Sequence, residues 1–170
     1  MEDIDIKKKL AANWFVFLQN EICNQFEILE KSKKNIKAKK FKKRKWFKFN
    51  KEEGGGTSFF LKDGHVFDQV GVNQSTVSGI FKKEFRSKIL GAKDTGLYWA
   101  SGISVVAHMK NPKIPAIHFN TRFIVTTKEW FGGGIDVTPS LRDKSEEKKI
   151  HKNLKQICKY NKKNYSKYKK

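Results

Sequence analysis

The chain has 170 residues, with 37 Lys and Arg against 17 Asp and Glu, for a formal net charge of +20. A single domain over residues 1–170 is the expectation at this length. The 14 Phe residues within 13% aromatics supply a core and exclude wholesale disorder, which needs low hydrophobicity along with high charge. No apolar run approaches the ~20 residues of a membrane span. The start (Glu2, Asp3, Asp5) is acidic rather than basic like a secretory signal, and Cys23 and Cys158 are too few for a disulfide framework, so a reduced cytoplasmic protein is expected.

Residues 6–30 are predicted to form an amphipathic helix. Leu10, Trp14, Leu18, Ile22 and Phe26 recur every four positions, and Phe15, Cys23 and Leu29 widen the stripe. The next stretch, Lys31 to Asn50, carries 11 cations and no anion, interleaved with Phe41, Trp46, Phe47 and Phe49. Such a stretch suits a nucleic-acid surface, a solvated face, or attraction of a small polyanionic substrate, and composition does not choose among them. Residues 57–62 and 65–70 read as two strands around Asp63-Gly64, a pair that signals a type I′ hairpin turn with positive φ at both residues. Residues 81–93 are weakly patterned, as a short helix or loop.

Ile103–Met109 and Ile117–Thr126 are predicted strands joined by a connection with Pro112 and Pro115. Period two puts Ser104, Val106 and His108 on one face of the first, opposite Ile103, Val105 and Ala107. In the second, His118, Asn120, Arg122 and Ile124 share a face, opposite Phe119, Phe123 and Val125. One polar face of an antiparallel sheet can simply face water, although such a face would normally draw on Lys, Glu and Thr, whereas these residues are hydrogen-bond donors and acid–base groups. Arg grips a carboxylate bidentately, Asn and Ser fix orientation, and His exchanges protons near neutral pH. His108 and His118 could also share a divalent metal, or each be satisfied by hydrogen bonds. Gly54-Gly55-Gly56 and Gly132-Gly133-Gly134 lack the surroundings of a phosphate loop and suggest sharp backbone turns or close approach of a flat ligand. From Lys144 the pattern is helical, with Ile150, Leu154, Ile157 and Cys158 as its stripe and His151 on the same side. Leu141 to Lys170 holds 12 cations and three anions, so the net charge resides in two stretches flanking a neutral body. Strands in the middle with helices at both ends give an α+β fold with an antiparallel sheet.

Four ordered blocks resemble oxygen-dependent coproporphyrinogen III oxidases. They are Gly54-Gly55-Gly56-Thr57-Ser58 through Gly71-Val72-Asn73; Ser101-Gly102-Ile103-Ser104 through His108, with Asn111-Pro112; His118-Phe119-Asn120-Thr121-Arg122-Phe123; and Trp130-Phe131-Gly132-Gly133-Gly134-Ile135-Asp136-Val137-Thr138-Pro139. The resemblance implies a large antiparallel sheet flanked by helices, a cytoplasmic homodimer, and an oxidoreductase of haem biosynthesis without nucleic acid or membrane span. Its reaction converts two propionates of coproporphyrinogen III to vinyls with O2, giving protoporphyrinogen IX, CO2 and H2O2. It further implies Ser104, Asn120, Thr121 and Arg122 as substrate-binding residues, His118 as proton donor, and His108, His118 and His151 as ligands of a divalent metal. Arg44 and Lys48 stand where the family pattern has an acid and an Arg. Family members continue through further blocks beyond the end of this sequence, so the fold is expected to be incomplete relative to the family, as a remnant or one half of a split enzyme. The alternative outside the family is a basic nucleic-acid-binding domain using Lys31 to Asn50.

Overall fold

The acidic residues Asp3 and Asp5 lie in the first turn of a long helix, α1 (Glu2–Glu30), where they favour the positive end of its dipole. This computed structural model describes residues 2–32 and 38–169. Part of the basic 31–50 stretch, residues 33–37, therefore lies outside the described residues. After α1 come β1 (Lys42–Phe47), a 3-10 turn (Lys51–Glu53), β2 (Gly54–Lys62) and β3 (Phe67–Ile80). A four-residue helix, α2 (Lys83–Arg86), precedes β4 (Leu97–Met109), β5 (Ala116–Val125) and β6 (Glu129–Thr138), and α3 (Lys144–Tyr160) and α4 (Tyr165–Tyr168) end the chain. The six strands form one antiparallel sheet whose order, β1-β2-β3-β4-β5-β6, is the order of the sequence. The expected α+β class with an antiparallel sheet is what the chain adopts.

α1 lies across one face of the sheet, against β3 and β4. Phe15, Leu61, Phe67 and Val72 are almost completely buried there, joined by Val70, Ile103, Val105, Ala107 and Phe123. Each such large side chain stabilises the fold by about 1.5–3 kcal/mol. The buried line of α1 follows the expected stripe in part, with Phe15 and Cys23 buried and Leu18, Ile22 and Phe26 packed partly against the core. Ala11, Phe15, Gln19 and Cys23 face the sheet, whereas Leu10, Trp14 and Leu29 remain exposed. The helix has two apolar sides, and Gln19 selects between them: its Nε2 donates to the Thr57 carbonyl at 2.7 Å and to the Val72 carbonyl at 2.8 Å.

The β2–β3 connection also departs from expectation. Asp63 has φ of 53°, but Gly64 does not share a positive φ, so the turn is not type I′. Strand pairing ends at Lys62↔Gln69, and the loop wraps around Glu30 at the end of α1. The buried Glu30 carboxylate accepts the backbone N–H groups of His65, Val66 and Phe67 at 2.7, 2.9 and 2.8 Å. A Cβ on Gly64 would lie 2.5 Å from Glu30 Oε1, so glycine is required for this close approach. Likewise, Gly132-Gly133-Gly134 forms no sharp turn. It lies inside β6, opposite Arg122, Thr121 and Asn120. Among the described residues, no helix is long and apolar enough to cross a membrane.

Candidate functional site

The face of the sheet away from α1 collects the polar residues that alternation predicted. β4 and β5 pair with Gly102 opposite Arg122, Ser104 opposite Asn120 and Val106 opposite His118. Because directly opposed residues share a face, Ser104, His108, His118, Asn120 and Arg122 all stand on this open side, while Ile103, Val105, Ala107, Phe123 and Val125 are buried on the other. Arg122 Nη2 donates to Asn120 Oδ1 at 2.9 Å, which turns the guanidinium along the strand. Gly102 makes room for it: a Cβ there would come within 2.7 Å of Arg122 Cβ.

His118 has a partner from the next strand. Its Nδ1 lies 3.3 Å from Asp136 Oδ2, and the same oxygen accepts the Thr138 hydroxyl at 2.6 Å. The Thr138 hydroxyl foremost, then the His118 hydrogen bond, hold the Asp136 carboxyl below the usual carboxylate range. Assigning the Nδ1 proton to this contact leaves Nε2 for proton exchange with a ligand. Asp136 and Thr138 were not singled out from the sequence, although the alternation Ile135-Asp136-Val137-Thr138 carried the signal. The open face extends further along one row, from Asn120 through Ser104 to Asn73 on β3, Ser58 on β2 and Arg44 on β1.

Two expected site memberships change. Thr121 pairs with Ile103 and Gly133, so its side chain points to the α1 side, away from its neighbours Asn120 and Arg122. The three histidines expected to hold a divalent metal are not gathered. The His108 and His118 rings approach to 5.7 Å between centroids, but His151 sits on α3. There its Nδ1 hydrogen-bonds the Tyr165 hydroxyl at 2.5 Å, and its Nε2 lies 3.9 Å from Glu147. Among the described residues, no group of three or more His, Cys, Asp or Glu could hold a metal ion. The donors present do not fit the expected metal.

A polar sheet face whose β4–β6 part carries one Arg, two His and one carboxylate can hold an anionic ligand and pass it a proton. The family model described as coproporphyrinogen III oxidase matches residues 11–170. The oxygen-dependent coproporphyrinogen-III oxidase of Rickettsia typhi is 48% identical over 155 residues, which cover 89% of this chain and 54% of the relative. The protein of the same name from Rickettsia akari is 46% identical over 167 residues, covering 96% of this chain and 59% of the relative. The chain thus spans about half the length of the curated relatives it matches.

Proposed function

The chain belongs to the coproporphyrinogen III oxidase family, and from that premise we propose that the open face of its sheet binds coproporphyrinogen III for oxygen-dependent decarboxylation. The observation that carries this reading is the joint placement of Arg122, Asn120 and Ser104 beside the His118–Asp136 pair on one face. Arg122, oriented by Asn120, takes a propionate carboxylate, and the Ser104 hydroxyl adds a hydrogen bond that fixes its position.

The chemistry needs a proton source. For each propionate, R–CH2–CH2–COO⁻ with O2 and one proton becomes R–CH=CH2, CO2 and H2O2. The bond between the carboxylate and its methylene breaks, and its electron pair becomes the double bond; a hydrogen leaves the ring-side methylene with its electron pair, and those two electrons, with the proton, reduce O2 to H2O2. In this reading His118 supplies the proton from Nε2, while Asp136 holds the ring through Nδ1. No step is routed through a metal, because the donors for one are not gathered. A single domain, a cytoplasmic setting and a homodimer belong to the same proposal; light scattering tests the last.

Arg122→Ala is expected to lower the affinity for coproporphyrin III, the stable oxidised form of the substrate, by ten- to a hundredfold in a fluorescence titration. Unchanged affinity would overturn the assignment.

A further inference from the structure

The open face carries a second cationic edge that the substrate residues above do not use. β1 is exposed along its length, and its alternation places Lys42, Arg44 and Trp46 on the same side as Arg122. Lys43 falls on the opposite side, where its Nζ lies 5.4 Å from the centre of the Phe59 ring. Arg44 stands in register with Ser58, Asn73, Ser104 and Asn120, one residue per strand. Four interstrand steps separate it from Asn120, roughly 19 Å at the usual spacing. Beside it, the Trp46 indole lies over β2, so close that a Cβ on Gly56 would be 2.9 Å from Cζ2.

Toward the β1 edge the charge on this face is one-sided, the Asp136 carboxylate lying at the far side on β6 against His118. β1, β2, β4 and β5 contain no Asp or Glu, and neither Arg44 nor Lys42 forms an ion pair among the described residues. Lys48, further along, is already paired with Glu53. A cation at each end of a polar floor, with an aromatic wall at one end, complements a flat ligand with carboxylates on opposite edges. A dicarboxylate with both acids on one edge would use only one end.

Resting on the substrate reading above, we propose that Arg44, supported by Lys42, binds a second carboxylate of the tetracarboxylate substrate, at the edge of the macrocycle opposite the one held by Arg122. The site thereby favours four carboxylates over two.

The test titrates the 170-residue chain with coproporphyrin III, which has four carboxylates, and with mesoporphyrin IX, which has two on adjacent rings. Arg44→Gln is expected to weaken coproporphyrin III binding about tenfold and leave mesoporphyrin IX within about twofold. Lys45→Gln removes the same charge from the other face of β1 and is expected to change neither. Equal losses in the two variants would mean generic attraction to a basic chain and would overturn the inference. It would equally fall if Arg44→Gln bound coproporphyrin III like wild type while Arg122→Ala lost it, an outcome that leaves the substrate reading standing. No binding of coproporphyrin III by the wild-type chain would overturn both.

Discussion

Glu30 is an anion at the C-terminal end of a helix, where the dipole disfavours it. Burial alone pushes its carboxyl up, yet the three backbone N–H groups of residues 65–67, with the nearby His65, more than offset this, and it sits below the usual carboxylate range. A folded value below the unfolded one means that the stabilisation is fully present above the ordinary carboxylate pKa of about 4.3 and is lost as pH falls through the folded value. Glu30→Gln is therefore expected to cost about 3 kcal/mol at pH 7, since it leaves buried donors unsatisfied, and progressively less in strong acid. Urea unfolding at pH 7 and pH 3 checks this. An equal cost at both values would mean that the charge plays no part. Nothing in the sequence marked Glu30, because its partners are main-chain groups 35 to 37 residues away.

At the scale of elements, the docking of α1 can be read from one thiol. Burial, aided by the nearby Glu27, pushes Cys23 up to about 12, so it is neither accessible nor ionised while the helix is seated. A disulfide reagent is expected to label Cys158, which is only partly buried, rapidly in the native protein and Cys23 only after unfolding. Equal rates would mean that α1 lifts off easily. α1, β5 and α3 were legible from their periodicities and fall close to their expected bounds, whereas β4 begins at Leu97, six residues before its expected start, and β1 and β6 were not read as strands. Alternation likewise placed Ser104, His108, His118, Asn120 and Arg122 on one face. It could not say which apolar side of α1 would face inward, since Gln19 decides that through carbonyls on two other elements. Nor could the Asp63-Gly64 pair reveal that its loop would close around a helix end rather than as an isolated turn.

For the molecule as a whole, the +20 charge is carried by few compensated groups: Lys7, Lys8, Lys48 and Lys149 are the cations paired with carboxylates among the described Lys and Arg residues. Self-repulsion should fall as salt shortens the screening length to about 8 Å at 0.15 M. The melting temperature is expected to rise by a few degrees from low salt to ~0.15 M sodium chloride, and a flat or falling calorimetric profile would refute this. The strand order carries a consequence for how the molecule comes into being. Because every strand pairs with its sequence neighbour, no pairing must wait for a distant segment, and the sheet can grow hairpin by hairpin as the chain is synthesised. The β4–β5 hairpin, joined through residues 110–115, brings Ser104, His118, Asn120 and Arg122 into register from local contacts alone. α1, made first, must hold its apolar side exposed until β3 and β4 exist to receive it. The site can therefore be assembled by rapid local closure, while completion of the core is the slower, long-range event.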